Sequence, residues 1–216
     1  MSFDCAVFDM DGTLIDSAWI WTEAKLKVLT DRGFSYTEED KDQVSYNELE
    51  GSAAYLLSRY DLGITAEQIA KEVFEYAEET YRTRVTLMPG VKELLEKLNA
   101  MGIPCCLATG TPIKRAKPLL ERLGVLHLIQ PFISSSDEGT DKHFPDIYLL
   151  AIEKAGADPS RAVVFEDTGY SMKAAKDANL YLVGIRQEST NFGPQYTDLC
   201  DLFIDDMTQL PENFWD

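Results

Sequence analysis

Apolar positions in the second half of this chain recur with two spacings that take turns. Val91, Leu94, Leu95 and Leu98 fall at i, i+3, i+4 and i+7, one face of a helix, and Gly102 stops the pattern before the apolar run Ile103 to Ala108, which reads as a strand. Ala116, Leu119, Leu120 and Leu123 repeat the helical spacing, end at Gly124, and precede a short strand around Phe132 and Ile133. Asp146 to Ala155 and Ser171 to Ala178 predict helices, Ala162 to Phe165 and Tyr181 to Ile185 predict strands, and Leu202 to Ile204 predicts an edge. With the apolar opening run that ends at Phe8, the alternation predicts an α/β fold: a doubly wound, mostly parallel, Rossmann-like sheet with helices on its faces.

Residues 17–86 break that rhythm. They carry three or four amphipathic helices and no convincing strand: Ala53, Leu56, Leu57 and Tyr60 share one face, and Ile69, Val73, Ala77 and Tyr81 share another. The division expected is therefore a core built from residues 1–16 and 87–216, with residues 17–86 inserted as a helical cap on two short linkers that could hinge.

Ligands of open parallel sheets bind beyond the carboxyl ends of the strands, so polar residues at those ends are the first candidates for chemistry. Four strands end this way: in Asp9 and Asp11, in Thr109-Gly110-Thr111, in Ser134 to Ser136, and in Glu166-Asp167. Asp9 and Asp11 stand before Gly12, where the chain must turn, and residues two apart on a strand would face the same side. Two convergent carboxylates suit one hard cation or one reacting phosphorus, one attacking and the other moving a proton. The plain alternative is an ordinary turn, because Asp tolerates turn geometry and Gly supplies positive φ.

Composition narrows the choice. With 216 residues and 45% apolar content, the chain is long enough to bury a large core. A formal charge of −17 argues against nucleic acid as a partner, and any phosphorylated substrate must rely on a local cation and local Lys or Arg. Cys5, Cys105, Cys106 and Cys200 lack metal-ligand spacing, and three of them lie in apolar runs, so they read as reduced core residues. No stretch approaches the roughly 18 apolar residues of a membrane span, and no basic, apolar leader precedes the first strand; a cytoplasmic location is expected.

These motifs together resemble the haloacid dehalogenase-like hydrolase superfamily, in its phosphatase and phosphomutase branch with a helical cap after the first strand. The resemblance rests on Asp9-Met10-Asp11-Gly12-Thr13, on Thr109 closing Cys105-Cys106-Leu107-Ala108, on Lys142 ahead of Pro145-Asp146-Ile147-Tyr148, and on Glu166-Asp167-Thr168. It implies that Asp9 is the nucleophile and Asp11 the general acid and base. It also implies that Mg2+ is held by Asp9, the backbone carbonyl of Asp11, and Asp167 with Glu166 nearby. Lys142 and Thr109 with Gly110 would bind the phosphoryl oxygens, and Thr13 would contact phosphate or brace the turn. Two departures stand out: His143 follows Lys142 where proline is usual, and Ser171 and Asn179 occupy positions where glycine is usual.

The substrate expected is a small phosphorylated metabolite. Tyr46 to Gly51 is the cap segment expected to reach the site, with Trp19 and Trp21; Glu48 and Glu50 there disfavour a second anionic group and so favour a sugar or nucleoside phosphate. A sugar phosphomutase is the first rival, although such relatives usually carry histidine in the first cap helix and this chain has only His127 and His143. A non-catalytic binding domain comes second. A dehalogenase comes last, because those relatives lack the second aspartate.

Overall fold

The computed structural model describes residues 3–187 and 194–215, apart from the side chains of Tyr46 and Pro194. The described residues divide into two compact units, one of residues 3–16, 86–187 and 194–215 and the other of residues 17–85.

In chain order the elements are β1 (Cys5–Phe8), β2 (Ile15–Asp16), α1 (Trp19–Thr30), α2 (Glu38–Tyr46), α3 (Leu49–Arg59), α4 (Ala66–Thr83) and β3 (Thr86–Leu87). They continue as α5 (Val91–Ala100), β4 (Cys105–Thr109), α6 (Ile113–Arg122), β5 (Phe132–Ser134), α7 (Ser135–Glu138) and α8 (Asp146–Ala155). The last are β6 (Ala162–Glu166), α9 (Gly169–Asp177), β7 (Tyr181–Ile185), α10 (Pro194–Thr197) and β8 (Leu202–Ile204).

Six strands form one parallel sheet in the order β5-β4-β1-β6-β7-β8. The order steps outward from β1 to β5 and then restarts at β6 on the other side of β1, which places the switch point at the tips of β1, β4 and β6. Central strands buried on both faces are apolar along their length, and β1, β4 and β6 are buried throughout, with polar residues, Thr109 and Glu166, only at the tips of β4 and β6. Cys5 and Val7 face a core completed by Ile147, Ala151 and Met172 from α8 and α9. Phe8 stacks on Phe165 at 4.6 Å, and Phe165 stacks in turn on Trp215. Helix α5 buries the predicted face Val91, Leu94, Leu95 and Leu98, and α6 buries Ala116, Leu119 and Leu120. Asn179 takes a left-handed φ of 58°, doing the work of the missing glycine before β7.

The boundary differs from expectation in one respect. The returning linker is paired: β2 and β3 form an antiparallel ribbon, Ile15 opposite Leu87 and Asp16 opposite Thr86, so Thr86 belongs with the sheet unit. Two-residue strands are too short to show a period of two, which is why the pattern passed them over.

The helical unit packs α1 to α4 around Leu29, Val44, Leu56, Ile69 and Val73. Of the two faces read from spacing, Ala53, Leu56, Ile69, Val73 and Ala77 are buried, whereas Leu57, Tyr60 and Tyr81 are half-buried. Thr37 and Thr65 form capping boxes with Asp40 and Gln68 at the starts of α2 and α4. The expected break at Tyr46 to Gly51 is narrower: only Asn47 and Glu48 separate α2 from α3, the Tyr46 side chain lies outside the described residues, and Gly51 is inside the helix. Lys25, buried in α1, holds this break by donating to the carbonyls of Val44 and Asn47 at 2.8 and 2.7 Å. Among the described residues no helix is long and apolar enough to cross a membrane.

Candidate active site

The first motif is a turn wound around one carbonyl. Strand β1 stops at Phe8, and the Met10 carbonyl then accepts from the N–H groups of Leu14 and Ile15 at 2.9 Å each. Gly12 adopts φ 81°, and a Cβ there would run into the Asp167 carboxylate, so only glycine lets the first and fourth motifs approach. The strand repeat expected to align Asp9 with Asp11 does not apply, because both residues lie past the end of β1. Their carboxylates are held by different partners: Asp9 by Lys142, and Asp11 by the Thr111 hydroxyl, which donates to Oδ2 at 2.7 Å.

Lys142 crosses from its loop to the tip of β1. Its ammonium lies 2.6 Å from Asp9 Oδ1 and pairs also with Glu166 Oε1, all three groups being buried. Glu166 is satisfied on both oxygens. Oε1 accepts from the Tyr148 hydroxyl at 2.7 Å as well as from Lys142, and Oε2 accepts from the Asp167 N–H at 3.1 Å. Asp9, Glu166 and Asp167 each bring a carboxylate oxygen within 4.8 Å of the others.

Among the described residues charge is unbalanced here, since three buried carboxylates meet one ammonium. Burial pushes the Asp9 carboxyl up to about 7 against the pull of Lys142, with Glu166 and Asp11 adding to the rise. Asp167 is pushed well above the usual carboxylate range, by burial first and then by Asp9 and Glu166. Burial works against the charge on Lys142, but Asp9 and Glu166 outweigh it and hold the amine protonated well above its ordinary range. The donors are all oxygen, anionic and in surplus, which fits a divalent metal ion.

The other candidates sit as follows. Thr109, buried at the tip of β4, accepts from the Thr111 N–H at 3.0 Å, leaving its own proton to donate elsewhere. Gly110 has open space where a Cβ would be, and its carbonyl accepts from Ser136 at 2.6 Å. Ser134 caps the short helix α7, which also supplies Asp137 to the Ile113 N–H at 2.8 Å; the serine run therefore fastens the Thr109 loop. Thr13 is fully buried and donates to Asp167 Oδ1 at 3.4 Å, which favours bracing of the turn over contact with phosphate. His143, in place of proline, stacks on Tyr170 with ring centroids 4.2 Å apart and bonds Asp141 at 2.7 Å, so the Lys142 loop is held by a ring pair.

Two residues escaped the sequence reading, and a third, Thr111, was named there only within the polar run after β4, without its role at Asp11. Tyr148 was the one polar group on the apolar face of α8. Gln187, just past β7, is another strand-tip residue: it is buried and donates to the Gly12 carbonyl at 2.5 Å.

A parallel sheet with acid, ammonium and hydroxyl groups gathered at its switch point defines a hydrolase of the phosphoryl-transfer type. The model of the haloacid dehalogenase-like hydrolases matches residues 3–179, and the chain belongs to that family. Within it the chain is a phosphoric monoester hydrolase. It is 31% identical over 178 residues to a phosphorylated carbohydrates phosphatase of Thermotoga maritima, covering 82% of each chain. It is 32% identical to a Drosophila melanogaster protein provisionally named a pseudouridine-5'-phosphatase, covering 88% of this chain and 86% of that one. A Thermotoga maritima crystal structure provisionally named a beta-phosphoglucomutase superposes with a TM-score of 0.80 at 28% identity, over 95% and 94% of the two chains.

Proposed function

We propose that this protein is a Mg2+-dependent phosphatase of a small phosphorylated metabolite, with a sugar or nucleoside phosphate favoured, and that it works through a phosphoryl group carried on Asp9. The observation that carries the reading is the Lys142 ammonium clamped between Asp9 and Glu166 beside Asp167. Such a cation holds the nucleophile in place and offers charge to the transferring oxygens. The relatives named above act on phosphorylated carbohydrates or on a nucleoside phosphate, which agrees with this class of substrate.

In the first half-reaction an Asp9 oxygen attacks phosphorus, the bond to the ester oxygen breaks, and the Asp11 carboxylic acid gives its proton to the departing alkoxide. In the second half, the Asp11 carboxylate takes a proton from water as that water attacks the phosphorus. The bond to Asp9 then breaks, and phosphate leaves with Asp9 restored. Asp9, Asp167 and the Asp11 carbonyl would hold Mg2+, which supplies charge neutralisation between the anionic nucleophile and the anionic substrate. Glu166, engaged on both oxygens, serves chiefly to anchor Lys142. Thr109 and the Gly110 backbone bind the phosphoryl oxygens. The inserted helices act as the cap that selects substrate. A cytoplasmic setting suits four free thiols.

A panel of phosphorylated metabolites, assayed for phosphate release with Mg2+ and again with chelator, tests the proposal. Hydrolysis of a sugar or nucleoside phosphate that chelator abolishes is the expected result, and undiminished hydrolysis in chelator would refute the metal. The mutase reading draws on the beta-phosphoglucomutase likeness. Isomer interconversion without free phosphate, in single turnovers with a sugar phosphate, would establish it in place of hydrolysis.

A further inference from the structure

Asp11 has a task that its backbone alone does not secure. The turn around the Met10 carbonyl fixes its main chain, but a general acid must also aim its carboxyl. Thr111 comes from the loop beyond the neighbouring strand β4, 100 residues away, and its hydroxyl meets Asp11 Oδ2 at 2.7 Å. The loop that carries Thr111 is itself fastened at three points. The Thr111 N–H donates to Thr109 Oγ1 at 3.0 Å, Ser136 donates to the Gly110 carbonyl at 2.6 Å, and Asp137 accepts from the Ile113 N–H at 2.8 Å. A hydroxyl on a loop held this firmly is a fixed point against which the Asp11 carboxyl is set.

We propose that Thr111 is the positioning residue of the acid–base group: by donating to Oδ2 it aims the carboxyl that delivers and retrieves the proton. The inference rests on the assignment of Asp11 as general acid and base. Phosphoryl transfer to Asp9 then depends on Thr111 only as far as the leaving oxygen needs a proton. An alkoxide needs it and a nitrophenolate does not, so the role has a signature that general loosening of the loop would not produce.

The test compares kcat/KM for an alkyl phosphate and for p-nitrophenyl phosphate in Thr111→Val, Thr111→Ala and Thr111→Ser, with Asp11→Asn as reference and circular dichroism to confirm folding. Loss of the hydroxyl in the valine and alanine variants should lower kcat/KM for the alkyl ester by about 10- to 100-fold and for the aryl ester by no more than about 3-fold, with serine restoring both. Equal losses on the two esters would overturn the inference in favour of a merely structural bond. If Asp11→Asn discriminates between the esters and Thr111→Val does not, the inference falls while the role of Asp11 stands. If Asp11→Asn itself fails to discriminate, the general-acid assignment falls first.

Discussion

Asp40 in the helical unit and Asp9 in the catalytic unit are both carboxylates removed from water, and the chain treats them in opposite ways. Asp40 accepts from the Thr37 N–H and hydroxyl at 2.6 and 2.7 Å, from Tyr55 at 2.9 Å and from Tyr60 at 2.8 Å, and pairs with Arg59 at 3.0 Å. Burial alone would raise its pKa, yet these donors win and hold it well below the usual carboxylate range. Asp9 has one ammonium, shared with Glu166, and two more carboxylates near it, and its carboxyl rises to about 7. The first centre is complete within the fold and serves stability. The second is left with surplus negative charge that a divalent cation would complete, as expected where function is favoured over stability.

Removing Lys142, the cation of the incomplete centre, should have the largest effect. Lys142→Met is expected to lower kcat by about 10²- to 10³-fold, measured by steady-state phosphate release on a folded variant; a loss under about 5-fold would deny Lys142 its place in phosphoryl transfer.

Breaking the complete centre should cost stability instead. Asp40→Ala leaves two tyrosine hydroxyls and a capping threonine without their acceptor and should destabilise the protein by about 3 kcal/mol in urea melts. The pH dependence has a definite sign. A carboxylate whose folded pKa lies below its unfolded value, about 3.9, contributes its full stabilisation above that value and loses it as pH falls through the folded pKa. The gap between wild type and Asp40→Ala should therefore be widest near neutral pH and shrink below about pH 4. A gap that held constant through that range would remove the charged hub from the account.

The smallest effect is the one that separates the two centres. Adding Mg2+ at about 100 times its dissociation constant should stabilise the protein by about 2.7 kcal/mol and raise its melting temperature by several degrees. Asp167→Asn should abolish most of that rise, whereas Asp40→Ala should keep it. Equal Mg2+ responses in wild type and Asp167→Asn would place the ion elsewhere.

The parallel sheet was legible because its strands and helices are long enough to display a period: Val91 to Leu98 and Ala162 to Phe165 stand where the spacing put them. The β2–β3 ribbon and the four-residue α7 were not, since two to four residues show no repeat. At the site, the strand-tip rule reached Asp9, Thr109 and Asp167 directly. Lys142 lies in a loop with no period and was found only through the family motif. Tyr148 was hidden by the apolar face it shares with Ile147, Ala151 and Ile152, and Gln187 by standing alone after its strand. The exchange of proline for His143 was visible, but its remedy was not: stacking on Tyr170 joins residues 27 positions apart, and no local pattern encodes such a contact.

The central claim is that Asp9, held by Lys142 among surplus carboxylates, accepts the phosphoryl group. Acid quenching of the enzyme during turnover of a phosphorylated sugar in Mg2+, followed by peptide mapping by mass spectrometry, tests it most directly. The account predicts one added phosphoryl group on the peptide bearing Asp9, absent from Asp9→Asn, which should also be inactive. Turnover that persists in Asp9→Asn, or a phosphoryl group found on another residue, would contradict it.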